Sequence, residues 1–148
     1  MPSVRATFRW LSAILFILVV VQVAFAAFGA FDAVHRADKV AISKKTIENG
    51  FNVHGAVGTL IVILMLVLLI VAAAGRLGPA LVKFSGGIFA LGVIQYLLGL
   101  VSTSAPGVGI LHGVNALLIF SATGLLAHRT WAGGHASAPR AQAPPAAA

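Results

Sequence analysis

Two histidines open the same short motif within apolar stretches of the chain. Residues 54–61 read HGAVGTLI and residues 112–119 read HGVNALLI, so His, Gly, Leu and Ile recur in register. An ionisable side chain inside an apolar segment of membrane length points to a function. Neutral imidazoles in apolar surroundings suit the two axial positions of a haem iron. The motif therefore predicts that His54 and His112 are metal ligands and that the cofactor is haem b.

Small residues follow each histidine. Gly55 and Gly113 come next in the chain, while Gly58 and Ala116 lie one turn beyond the histidines on the same helical face. Short side chains let helices flank a flat macrocycle closely, so we expect all four positions to border the cofactor. Ordinary close packing of helices would also explain them.

A glutamine precedes each motif at an equivalent place. Gln22 is followed four residues later by Ala26, and Gln95 is followed four residues later by Gly99. Each half of the chain therefore reads glutamine, small residue, loop and then His-Gly. We expect both glutamine side chains to be structural, bonding across the bundle or to a histidine nitrogen. Contact with the haem is the alternative for them.

Four apolar blocks are long enough to carry these motifs through a membrane, since a spanning helix needs about 20 residues. The blocks run over residues 11–31, 51–75, 84–102 and 110–127. A polar loop over 34–50 separates the first two blocks, and short turns with Gly or Pro separate the others. Residues 1–131 then form one transmembrane domain, and we expect the Ala/Pro-rich tail, 132–148, to be disordered.

The repeat also predicts how the blocks are arranged. Two hairpins of the same orientation imply a pseudo-two-fold axis along the membrane normal, so the second and fourth helices face each other across the bundle. His54 and His112 then lie at one depth, one to two turns from the outer ends of their helices. The expected fold is all-α, a four-helix transmembrane bundle made of two repeated helical hairpins.

The first apolar block has a second interpretation. Arg5 and Arg9 precede a long apolar run, and the small residues near Ala24 and Ala26 resemble the cleavage site of a secretory signal peptide. The repeat needs this block as its first helix, so a retained spanning helix is favoured.

Composition excludes several classes of protein. The 148 residues are 59% hydrophobic and 9% charged, which predicts a multi-pass protein of the cell membrane with the lipid bilayer as its main partner. The net charge of +7 is spread between apolar blocks rather than along one stripe, which argues against nucleic acid. The absence of cysteine excludes thiolate metal sites, and two histidines without acids in the blocks argue against tetrahedral zinc.

The distribution of Lys and Arg sets the orientation. Placing both termini in the cytoplasm puts six of these residues inside and four outside, a modest bias that favours N-in, C-in. The outer four lie in the predicted 34–50 loop. There Lys44 and Lys45, with Arg36 and Lys39, are placed to neutralise the propionates of a haem.

A simpler interpretation applies to the histidines. A single intramembrane histidine is more often an interhelical hydrogen-bonding group than a ligand, whereas two in a repeat favour ligation. His35, His128 and His135 are expected to be solvated or interfacial, with His35 a spare candidate ligand.

These motifs resemble one half of the haem A synthase fold, in which two four-helix bundles each carry a histidine on their second and fourth helices. The resemblance spans residues 11–129 and is strongest at residues 95–99, QYLLG, followed by His112. His54 and His112 match the family's histidine pair. The plan is also similar to other four-helix membrane cytochromes b, and to Ala/Val-rich membrane proteins of actinobacterial type that have no assigned role.

The chain departs from this family at one position. The substrate-side half of the synthase has a catalytic acid three residues before the histidine of its second helix, where this chain has Phe51. Glu48 lies six residues before His54, in the predicted loop. The resemblance therefore implies the half that holds haem b, with the oxidising activity in doubt.

The leading hypothesis is a b-type cytochrome that transfers electrons or holds haem, with a redox partner or quinone. One alternative is a membrane subunit or scaffold without a cofactor, and the other is an enzyme acting on haem or quinone. The sequence also leaves a homo-oligomer open.

The predicted topology can be checked with single cysteines, since the chain has none of its own. With both termini in the cytoplasm, Lys45→Cys is labelled by an impermeant maleimide added outside intact cells, whereas Ala143→Cys in the tail is not. Labelling of position 143 but not of position 45 would reverse the topology.

Overall fold

The computed structural model describes residues 2–37, 39, 41 and 43–135. These residues form four helices and no strand: α1 (Pro2–Ala37), α2 (Lys44–Ala74), α3 (Pro79–Ser102) and α4 (Val108–His135). Each helix is long and apolar enough to cross a membrane. The prediction of an all-α, four-helix transmembrane bundle is confirmed.

The predicted polar loop over 34–50 is wrong, because most of it is helical. α1 continues to Ala37 and α2 already begins at Lys44. Ser43 caps the start of α2, where its hydroxyl oxygen accepts a hydrogen bond from the backbone N–H of Thr46 at 3.2 Å. Such a cap satisfies one of the amide groups that a helix start leaves unpaired.

Pairs of opposite charge spaced four residues apart favour the same extension. Arg36 Nε lies 2.8 Å from Asp32 Oδ2 on α1, and Lys44 Nζ lies 3.6 Å from Glu48 Oε1 on α2. Such pairs stabilise an exposed helix by about 0.3 kcal/mol each. Charged residues therefore do not mark the ends of these two helices, because capping and pairing keep the chain helical beyond its apolar part.

α4 also runs beyond its predicted block, to His135, so the first residues of the predicted tail are helical. Trp131 packs edge to face on Trp10 of α1, with ring centroids 5.1 Å apart. This contact holds the last turns of α4 against the bundle. Residues 136–148, the rest of the predicted tail, lie outside the described residues.

The helices pack in a ring. α1 contacts α2, α2 contacts α3, α3 contacts α4, and α4 closes on α1, while the diagonal pairs make no close backbone contact over the described residues. The second and fourth helices therefore face each other across the bundle, as the repeat predicted. One end carries the α1–α2 and α3–α4 connections, and the other carries the α2–α3 turn.

This bundle needs a lipid rather than an aqueous surrounding. Its buried apolar core is small: Phe8, Leu15, Val19, Ile61, Met65, Leu68, Ala72, Ile88, Ile119 and Leu126. Only 17–22% of the most apolar 18-residue window of each helix is buried within the bundle. Many large apolar side chains on all four helices are exposed instead, and apolar surface costs about 25 cal/mol per Å² in contact with water. Four such helices are those of a multi-pass membrane protein.

Two glycines let α1 and α2 cross closely. A methyl group on Gly29 would lie 2.9 Å from the carbonyl oxygen of Gly50, and one on Gly50 would lie 3.1 Å from the carbonyl oxygen of Gly29. The obstacle in each case is backbone, which cannot rotate away as a side chain can. The crossing lies one turn before His54 on α2, so it also sets the spacing of the two helices beside that histidine.

Replacing Gly29 with alanine is expected to push α1 away from α2. The Gly29→Ala variant should lose about 1–3 kcal/mol of unfolding free energy, the usual cost of overpacking. The measurement is reversible unfolding in mixed micelles followed by circular dichroism. Gly87→Ala is the control, because no atom lies within 4 Å of the added methyl and alanine favours a helix. Equal losses in both variants would contradict the close crossing.

Candidate cofactor site

The bundle brings His54 and His112 together from opposite corners. Their ring centroids lie 6.4 Å apart with the planes inclined by 58°. Both side chains are half-buried. Because α2 and α4 make no close backbone contact with each other, the two rings bridge the gap between the diagonal helices.

Each imidazole is held by the same hydrogen bond. His54 Nδ1 lies 3.2 Å from the backbone carbonyl oxygen of Gln22, and His112 Nδ1 lies 3.1 Å from that of Gln95. A carbonyl oxygen only accepts, so Nδ1 carries the hydrogen in both rings. In a neutral imidazole Nε2 then has a free lone pair. The repeated hairpins thus present two oriented ring nitrogens of the kind that ligate metals.

The spacing of the rings fits one metal ion between them. Imidazole nitrogen binds metals at about 2 Å, which puts two coaxial ligand rings about 6 Å apart from centre to centre. The observed 6.4 Å agrees with that distance. Over the described residues no cluster of three or more His, Cys, Asp or Glu side chains is available to a metal. A haem iron suits a pair of this kind, because its macrocycle supplies the other ligands.

The side chain of Gln22 ties α1 to α2 at the first histidine. Its Nε2 donates a hydrogen bond to the backbone carbonyl oxygen of His54 at 2.7 Å. A methyl group on Gly58 would lie only 2.9 Å from this Nε2. Gly58 therefore makes room for the glutamine side chain. The Gln22 side chain thus bonds to the neighbouring helix, and the histidine nitrogen is bound by the backbone of Gln22 rather than by its side-chain amide.

The second half of the site uses a different partner. Gln95 Oε1 accepts a hydrogen bond from Asn115 Nδ2 at 2.8 Å, and the same Nδ2 donates to the carbonyl oxygen of Leu91 at 3.0 Å. In the repeat, the position equivalent to Asn115 is Val57, which has no polar atom. Gln22 Oε1 is accordingly buried without a hydrogen-bond partner among the described residues. The surroundings of the two histidines therefore differ.

The small residues near the histidines have three different environments. A methyl group on Gly99 would lie 3.3 Å from His112 Cε1, so this glycine makes room for the ring itself. Gly55 and Gly113 are exposed and have no other atom within 4 Å of an added methyl. Ala116 is half-buried. Gly99, the glycine beside the His112 ring, was thus identified in the sequence only as the small residue that follows Gln95.

The acids near this end do not occupy the position of the synthase's catalytic acid. Phe51 stands there, edge to face with the His54 ring at 6.0 Å. Glu48 lies on α2 and not in a loop, exposed. Asp32 was not predicted as a site residue, yet its Oδ2 would lie 3.3 Å from a methyl on Gly50. The four-residue spacing between Asp32 and Arg36 was the signal in the sequence, and it indicates an ion pair. The carboxylate of Asp32 is engaged in that ion pair.

The lysines predicted to bind the cofactor lie at the rim of the bundle. Lys44 and Lys45 begin α2 and are exposed. His54 follows Lys44 by ten residues, so about 15 Å of helix separates them. His54 is therefore nearly three turns into its helix, deeper than predicted, whereas His112 is about one turn into α4. His35 is exposed on α1, with Lys39 Nζ 3.0 Å from its Nε2.

Comparison with known proteins adds one finding. A model of a family of unknown function, DUF6220, matches residues 40–103. That stretch covers α2 and α3 with His54, and it leaves out α1 and His112. No curated protein and no solved structure matches the chain.

The tautomer of the two histidines is a direct test of the site geometry. Nitrogen-15 spectra of histidine-labelled protein, prepared without added haem, should show hydrogen on Nδ1 for His54 and His112. The exposed His128 is the control, because no carbonyl fixes its ring and solvent sets its tautomer. Hydrogen on Nε2 in either member of the pair would contradict the described hydrogen bonds.

Proposed function

We propose that this chain is a multi-pass cytochrome of the cell membrane that binds one haem b through His54 and His112. The observation that carries the proposal is the repeated Nδ1 hydrogen bond to the Gln22 and Gln95 carbonyls. It leaves Nε2 of each ring free to bind a metal, and the ring centres lie 6.4 Å apart, a separation that suits two imidazoles sharing one iron.

The protein contributes orientation and surroundings to such a site. Haem iron supplies a one-electron couple when it is bound. The backbone bonds of α1 and α3 hold the two imidazoles, and Phe51 shields the His54 ring on one side. Two imidazole ligands would leave no free position on the iron for oxygen. This ligand set favours electron transfer or haem holding over oxygenation.

Lysines at the histidine end of the bundle support a partner that binds at that end. The rim lysines Lys44 and Lys45 would neutralise propionates directed toward that end. Lys44 is paired with Glu48, and Lys45 next to it is exposed. A redox partner or a quinone would exchange electrons at this edge. The resemblance to the haem-holding half of the haem A synthase fold supports the same assignment, with Phe51 in place of the acid.

A scaffold without a cofactor is the second candidate, and one observation favours it. The contacts between Gln22 and His54 run in both directions, because each residue uses its side chain to bond the other's backbone. Such paired bonds stabilise a membrane bundle by themselves, since hydrocarbon offers no competing partner. In a scaffold, the two histidines would join neighbouring helices, and no cofactor would lie between their rings.

An optical spectrum of the purified full-length protein separates the two candidates. We expect the reduced protein to show the sharp bands of a six-coordinate haem with two imidazole ligands. Each of His54→Ala and His112→Ala should remove or convert these bands, because each removes one axial ligand. His128→Ala should leave them unchanged, since that side chain is exposed near the far end of α4.

Three results would count against the cytochrome. Unchanged bands in both alanine variants would remove the pair as ligands, and a folded protein that takes up no haem would favour the scaffold. A stable carbon monoxide or oxygen adduct, or chemically altered haem after exposure to oxygen, would favour an enzyme.

A further inference from the structure

The end of the bundle opposite the histidines is basic and has no acid. All three carboxylate side chains of the chain lie between residues 32 and 48, and both ion pairs of the described residues are there. The opposite end, here called the basic end, carries five cationic side chains: Arg5, Arg9, Arg76, Lys83 and Arg129. Among the described residues, no carboxylate lies at this end to balance them.

A groove with two chemically distinct parts opens at this basic end. Its apolar part, about 330 Å³, lies between α1 and α2 and is lined by Val4, Thr7, Val71, Ala74 and Gly75. Its cationic part, of similar volume, is lined by Arg5, Ala74, Gly75, Arg76 and Leu77. Ala74 and Gly75 border both parts, so the two form one groove. Its wall is apolar along the helices and positively charged at the mouth.

The backbone at the mouth is strained in a way that places an arginine there. Arg76 has a φ of 50°, the left-handed region that glycine usually occupies at the end of a helix. The Arg76 N–H bonds the Ala73 carbonyl and the Leu77 N–H bonds the Ala72 carbonyl, both at 3.1 Å, which closes α2. Such strain in a residue other than glycine is typical of functional positions. Here it puts a guanidinium beside the groove although glycine would close the helix at lower cost.

Aromatic contacts place this end at the depth of lipid headgroups. The Arg9 guanidinium lies 4.6 Å from the centre of the Trp131 ring, and Trp131 packs on Trp10. The Arg129 guanidinium lies 5.8 Å from the Phe84 ring. Tryptophan and arginine together are typical of the membrane–water interface. At such an interface Arg5 and Arg76 suit the headgroups, and the apolar part runs inward along α2, where Val71 lies five residues before Arg76.

We propose that this groove binds an anionic phospholipid, with the phosphate between Arg5 and Arg76 and an acyl chain along the apolar part. Arginine forms paired hydrogen bonds with phosphate oxygens and is well suited to this contact. Membrane orientation requires cations on one side, but it requires neither a groove nor an arginine in a left-handed turn. A free phosphate would leave the apolar part unused. The site lies at the opposite end from the histidines and does not depend on the proposed haem.

The test uses the full-length protein in phosphatidylcholine vesicles with spin-labelled phosphatidylglycerol as the probe, compared with spin-labelled phosphatidylcholine. We expect the wild-type protein to prefer the anionic lipid. Arg5→Gln and Arg76→Gln should each lower its association constant about fivefold, the effect of about 1 kcal/mol per cation at a membrane surface. Ala74→Phe should also lower it without changing any charge, because the ring fills the groove.

Lys45→Gln is the matched control, since it removes one positive charge at the opposite end and should leave the preference unchanged. An equal loss in Lys45→Gln would show general attraction to positive charge and overturn the site. Full preference in Ala74→Phe would overturn the groove, and displacement of the probe by inorganic phosphate would assign the cations to a soluble anion. Helical circular dichroism of each variant confirms that it is folded before binding is measured.

Discussion

A hydrocarbon layer offers no hydrogen-bonding partner, so each polar group inside this bundle has to find one within the chain. The backbone meets this requirement as four helices, and buried hydroxyls such as Ser12 and Thr123 bond to carbonyls of the preceding turn. His54 and His112 reach instead to carbonyls of the neighbouring helix. The same requirement therefore orients the rings and ties α1 to α2 and α3 to α4.

The two halves of the repeat meet this requirement unequally. Asn115 completes the hydrogen bonding of Gln95, whereas Val57 leaves Gln22 Oε1 buried without a partner among the described residues. An unsatisfied buried acceptor costs about 1–3 kcal/mol, so the first half lacks a stabilising contact that Asn115 supplies in the second. A cofactor bound between two such halves has inequivalent faces, which a symmetric pair could not provide.

The two ends of the bundle carry different sets of charged residues. At the histidine end, one acid and one cation lie four residues apart on α1, and another such pair lies on α2; each forms an ion pair. These pairs stabilise the helical turns at that end. At the basic end, arginines lie beside aromatic rings and line the groove. No carboxylate lies near them among the described residues. Mixed charges suit an aqueous partner, whereas unpaired cations at headgroup depth suit anionic lipid.

The sequence by itself determined the four spanning helices, because crossing hydrocarbon depends on apolar length, which is a local property. It also determined that His54 and His112 are equivalent, since the repeat preserves their register. It did not reveal that residues 32–37 and 44–50 are helical, because capping and ion pairing give weaker signals in a sequence than a loss of hydropathy does. Only the tertiary structure decided which atoms hold the imidazoles. Every residue has a carbonyl, so no residue type marks the two that Nδ1 reaches, and the packing of neighbouring helices alone selects them.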